Sequence, residues 1–250
     1  MVADAIYLQD YIHKGNNGKV VLFVHGIFSS PQQFKAFYQP LCKLDYSVYA
    51  ILLKGHGKDL KTLSKTKYYE WINQIENLLI DFKKNYQEVF IIGHSMGGLL
   101  ALGDYDALVS KRIVIGPSIC IKVTWRYFKL GLLVDKKNVK DKYVSQYQSV
   151  LGITFPSSIF KKILVLPCFW QLFKVISYAK KNLIKISKPI LTIQSKNDEC
   201  IRRKGPKKII NNVNSHQKEI LWLNKSFHAV FDTEEEIFMI SKAIEFIESN

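Results

Sequence analysis

Two rhythms of apolar and polar positions alternate along this chain. The runs "KVVLFV" (19–24), "SVYAILL" (47–53), "EVFIIG" (88–93) and "RIVIG" (112–116) are almost continuously β-branched, aliphatic or aromatic. Such runs are typical of strands buried on both faces. Between the first two, Ser30 as N-cap and Pro31 at the first helical position predict a helix to about Leu44. Before the third, "YEWINQIENLLIDFKK" sets Trp71, Ile72, Ile75, Leu78, Leu79 and Phe82 on one helical face. This alternation predicts an α/β fold, a mostly parallel twisted sheet flanked by helices and closed by right-handed crossovers.

From about Ile119 the apolar spacing turns helical and stays so to Ser187, interrupted near Gly152 and at Pro156 and Pro167. Strand-like runs resume at "PILTIQS" (189–195) and "EILWLN" (219–224), and a last helix is expected from about Thr233 to Ser249. Its opening "DTEEE" places acids where the helix dipole favours them. The sequence therefore divides into a core of 1–118 and 188–250 and a helical insertion of 119–187.

With 250 residues, 48% of them hydrophobic, the chain suits one large domain carrying an insertion. Cys42, Cys120, Cys168 and Cys200 are scattered without metal-ligand spacing, which reads as reduced thiols in a reducing compartment. The first twenty residues carry early acids and no unbroken apolar core, so neither a secretory signal nor an anchor is expected and the cytoplasm is the expected location. The longest apolar run, Ile163 to Phe173, falls short of the roughly 20 residues a membrane span requires. The net charge of +15 comes mostly from lysines dispersed over the whole chain, with no RNA- or DNA-binding motif among them. Nucleic acid is not an expected partner.

Candidate chemistry gathers where strands end, as parallel sheets require. "IIGHSMGG" runs a strand into Ser95 between Gly93 and Gly97, a pattern that suits a serine on a sharp strand-to-helix turn. "VHGIF" ends the first strand and offers the N–H of Ile27; Met96 opens the helix after Ser95 and offers a second. Two donors aimed at one point are what an oxyanion needs. "QSKNDEC" places Asp198 after one late strand, with Glu199 its close rival, and "NKSFHAVF" places His228 after the next. His13, His25, His56, His94 and His216 sit in less suitable turns or loops.

The order Ser95, Asp198, His228 and the segments "VLFVHGIF", "ILLKGHGKDL", "IIGHSMGGLLA", "ILTIQSKNDECI" and "NKSFHAVFDTEEEIF" resemble the α/β-hydrolases, specifically the bacterial carboxylesterase and monoacylglycerol lipase-like group. The resemblance spans nearly the whole chain. It implies Ser95 as nucleophile, His228 as base, Asp198 as orienting acid, and the N–H groups of Ile27 and Met96 as oxyanion hole. It also implies that 119–187 is a helical cap over the site.

A serine hydrolase of this kind forms an acyl-enzyme and requires neither metal nor organic cofactor. Esters of short or medium acyl chains, monoacylglycerols included, are the expected substrates. A thioesterase or lysophospholipase would use the same triad, and a non-catalytic protein docking on anionic membranes is the reading from another class. The Phe, Trp, Leu and Ile of the insertion are expected to form a closed apolar channel. The competing expectation is that they and the lysines give a weak association with anionic membranes.

Overall fold

The computed structural model describes residues 8–122, 124–125, 140–153, 155–156, 158 and 160–249. Among these residues seven strands form one sheet: β1 (Tyr11–His13), β2 (Lys19–Val24), β3 (Ser47–Ile51), β4 (Glu88–His94), β5 (Lys111–Ile115), β6 (Ile190–Ser195) and β7 (Lys218–Leu223). Their spatial order is β1-β3-β2-β4-β5-β6-β7, parallel throughout except for the antiparallel edge strand β1. Register aligns Val24 with Gly93 and His94 with Ile115, so the carboxyl ends of the central strands converge on one rim.

Side-chain alternation along the strands builds a core on each face. Val20, Leu22 and Val24 of β2 point to one side, where α3 (Tyr68–Asn85), α4 (Met96–Leu100) and α6 (Val165–Asn182) contribute Trp71, Leu79, Leu99, Val175 and Ala179. Val21 and Phe23 point to the other, against Phe37 and Leu41 of α1 (Lys35–Lys43) and Met239, Ala243 and Phe246 of α8 (Thr233–Glu248). Asp232 caps α8 by accepting the N–H of Glu235.

Several local expectations are revised. Ser30 occupies the N-cap position but makes no cap; its hydroxyl turns to the carbonyl of Val150, and Pro31 opens a 3-10 turn (Pro31–Phe34) before α1. Pro167 does not break a helix. It lies in the first turn of α6, where its missing N–H has no intrahelical acceptor to lose. Among the described residues, three elements escaped the pattern. These are β1, α2 (Leu60–Lys65, capped by Asp59) and α7 (Lys204–Ile210), whose Pro206 again sits in a first turn.

Between β5 and β6 lie α5 (Lys142–Ser149), a 3-10 turn (Phe160–Leu164) and α6. The latter half of α6 packs into the core through Val175, Ile176 and Ala179, so the helix is also part of the crossover from β5 to β6.

Candidate active site

Ser95 stands at the junction of β4 and α4 with φ 55° and ψ −114°, a left-handed conformation that a β-carbon disfavours. The flanking glycines make this turn possible. A Cβ on Gly97 would lie 1.9 Å from the carbonyl oxygen of Val24, and one on Gly93 would lie 2.2 Å from that of Gly97. Strand and helix can meet at that separation only without side chains at both positions. The backbone N–H of Ser95 donates to the Ile115 carbonyl at 2.9 Å, which fixes the elbow to β5.

His228 Nε2 lies 2.9 Å from Ser95 Oγ, and its Nδ1 lies 2.8 Å from Asp198 Oδ2. All three residues are buried. The second oxygen of Asp198 accepts the N–H groups of Cys200 at 2.8 Å and Ile201 at 2.7 Å, and Gln194 Nε2 donates to Oδ2 at 2.7 Å. Burial by itself pushes the Asp198 carboxyl upward, but the charge and hydrogen bond of His228 and those two backbone donors hold it below its ordinary value. Burial likewise opposes the charged form of His228, and the neighbouring Asp198 outweighs it, leaving the imidazole above its ordinary value. Nδ1 therefore carries the proton, which leaves Nε2 free to accept one from Ser95.

Glu199 does not face the ring. One of its oxygens accepts the backbone N–H of His228 at 3.0 Å, and the other accepts the hydroxyl of Tyr143 on α5. Ser118, buried just beyond the end of β5, places its hydroxyl 2.8 Å from Ser95 Oγ. Neither contact was anticipated. Position after a strand end is a signal that could have marked Ser118, whereas nothing in the sequence separates the direction of Glu199 from that of Asp198.

The other buried histidines hold the frame. His25 accepts the N–H of Leu53 at Nε2 and donates from Nδ1 to the Gly26 carbonyl at 2.8 Å. Burial, then the neighbouring His56, pushes it well below its ordinary value, and burial lowers His56 to about 4. His94 bonds the His228 carbonyl at 2.8 Å through Nε2 and is lowered to about 3, by burial first and then by the proximity of His228.

Ile27 lines a cavity of about 50 Å³ that also borders Ser95, His228, Ser118, Phe28, Leu151, Phe169 and Leu172. The Met96 side chain belongs to the core, and its N–H opens α4. Phe28, with φ 64°, turns the loop after β2, and its carbonyl accepts the N–H of Gly152 from the insertion at 2.8 Å. Among the described residues, Asp198, Cys200 and His228 bring metal-ligating atoms within 4.8 Å of one another, but the Asp198 and His228 atoms are engaged with each other.

A parallel sheet with a strained serine at a strand-to-helix turn, backed by a histidine and a carboxylate from later strand-end loops, defines an α/β-hydrolase. The family model described as serine aminopeptidase S33 matches residues 15–236. Among curated relatives, the thermostable monoacylglycerol lipase of Bacillus sp. (strain H-257) is 25% identical over 244 residues, covering 92% of this chain and 91% of the relative. The carboxylesterase of Bacillus subtilis (strain 168) is 22% identical over 242 residues and 96% of each chain. A solved structure from work on the metagenome-derived lipolytic enzymes LipS and LipT superposes with a TM-score of 0.76 at 20% identity, covering 97% of this chain and 98% of that one. The chain belongs to the serine aminopeptidase S33 family of α/β-hydrolases, among its esterase- and lipase-type members.

Proposed function

We propose that this protein hydrolyses carboxylic esters of short to medium acyl chains, with Ser95 as nucleophile, His228 as general base and Asp198 as the acid that orients it. The observation that carries this reading is the unbroken hydrogen-bonded path from Ser95 Oγ through His228 to Asp198. Ser95 attacks the acyl carbonyl as Nε2 takes its proton, and Asp198 stabilises the imidazolium that results. The N–H groups of Ile27 and Met96 receive the oxyanion, each well-placed donor contributing about 3 to 4 kcal/mol. His228 then returns the proton to the leaving alcohol, activates water in turn, and the acid is released.

Phe28, Leu151, Phe169 and Leu172 give the cavity an apolar lining suited to an acyl chain. Esterase and lipase relatives of comparable length support ester over amide substrates, monoacylglycerols included. In this reading residues 119–187 are the cap over the site, and Gly152 and Leu151 tie it to the loop after β2. The chain works in the cytoplasm, where its four free cysteines stay reduced. The test is hydrolysis of matched oxygen esters, thioesters and lysolipids across acyl length. A maximum at short or medium oxygen esters is the expected result. Faster turnover of thioesters or lysolipids at equal chain length contradicts the assignment of substrate class.

A further inference from the structure

The helix that roofs the cavity has two apolar faces, and among the described residues only one is covered. Phe169 and Leu172 of α6 line the cavity, and Val175, Ile176 and Ala179 continue that face into the core. On the opposite side, Ile163 and Phe160 from the preceding turn and Leu166, Trp170 and Phe173 from α6 follow one another at spacings of three or four residues. Their exposures are 65%, 86%, 62%, 63% and 53%. A solvated helix normally carries charged and polar side chains there. Five large apolar side chains in one exposed stripe form a surface of the kind that binds a partner.

Charge identifies the partner. Between residues 142 and 197 the sequence has nine lysines and no aspartate or glutamate. The outward face of α6 continues past Phe173 into Lys174, Lys180 and Lys181, all exposed, and the Lys174 ammonium lies 5.9 Å from the centre of the Trp170 ring. Lysines beside a Trp–Phe stripe match the two components of a phospholipid surface, anionic headgroups above and acyl chains below. No helix among the described residues is long and apolar enough to cross a membrane, so the contact is interfacial.

We infer that the outer face of Phe160–Lys181 docks on anionic lipid bilayers, laying Leu166, Trp170 and Phe173 into the headgroup boundary while Lys174, Lys180 and Lys181 engage lipid phosphates. The inference rests on the esterase reading only in its purpose. Docking would put the roof of the cavity against a source of lipid esters, and the surface itself is independent of the triad.

The experiment is flotation of the full chain with vesicles of phosphatidylcholine alone or of equal parts phosphatidylcholine and phosphatidylglycerol, at low and high salt. Sedimentation without vesicles and hydrolysis of a soluble short-chain ester are measured in parallel. The chain is expected to float with the anionic vesicles and to be released by salt as screening shortens to about 3 Å at 1 M. Lys180→Glu with Lys181→Glu should weaken binding by about tenfold or more. Trp170→Ser with Phe173→Ser should weaken it by at least as much. Both variants should retain soluble-ester hydrolysis, since none of these side chains lines the cavity. Absence of binding to either vesicle, undiminished binding by the apolar variant, or a wild-type self-association that the apolar variant dissolves without any vesicle binding overturns the inference. Loss of soluble-ester hydrolysis by the wild-type chain would instead strike the esterase reading.

Discussion

Glu199 accepts the backbone N–H of His228 at 3.0 Å, while its neighbour Asp198 takes the imidazole of the same residue at 2.8 Å. Two adjacent acids thus hold one histidine by different handles, one fixing the main chain and the other the ring. Their substitutions should separate cleanly. Asp198→Asn is expected to lower kcat by roughly 10⁴-fold through the wrong imidazole tautomer. Glu199→Gln keeps an acceptor for the His228 N–H and should cost about tenfold. Steady-state kinetics on a soluble ester decides it, and a larger loss from Glu199→Gln would reverse the assignment.

The same pairing sets a pH dependence. In the proposed mechanism His228 is the base and must be neutral at Nε2, and Asp198 holds its pKa above the ordinary histidine value of 6.5. The expected kcat/KM rises with pH and has its midpoint above 6.5. In Asp198→Asn the charge that favours imidazolium is gone and burial remains, so the midpoint of the residual activity should move down. A midpoint unchanged by that substitution would mean that another group titrates.

At the elbow, the close approach of Gly97 to Val24 leaves no room for a methyl group against rigid backbone. Gly97→Ala is expected to destabilise the fold by about 3 kcal/mol or more, beyond an ordinary overpacked site. Chemical denaturation measures it. Wild-type stability would show that strand and helix separate more easily than this packing implies.

The cavity wall should govern chain length. Phe169→Ala opens space beside Phe28, whose ring lies 5.9 Å from that of Phe169 in an edge-on contact. The preferred acyl chain should lengthen by a few carbons, each methylene contributing about 0.8 kcal/mol when buried. A chain-length series on the variant checks this, and an unshifted optimum would place the acyl chain elsewhere.

Much of the fold was legible because buried parallel strands leave uninterrupted apolar runs, as in β2 and β4. The short edge strand β1 left no such run, with Tyr11 and His13 only half buried and Ile12 exposed. One proline misled. Pro167 marks a break by composition, yet it sits in a first turn, where a missing N–H costs little. At the site, Ser95, Asp198 and His228 were readable from order and strand-end position, and the structure brings them into contact. The orientation of Glu199 was not readable, since one acid beside another acquires meaning only when separate loops meet, and Ser118 carried no mark beyond its position after a strand end. The outer face of α6 was hidden similarly, because sequence spacing gives the stripe but not which side the core covers.

The most direct test of the central claim is covalent labelling by a fluorophosphonate probe, with the modified residue located by mass spectrometry. The account predicts a single adduct on Ser95, absent in Ser95→Ala while the circular dichroism of the folded chain is preserved. Labelling of another residue, or undiminished ester hydrolysis by the folded Ser95→Ala variant, would contradict it.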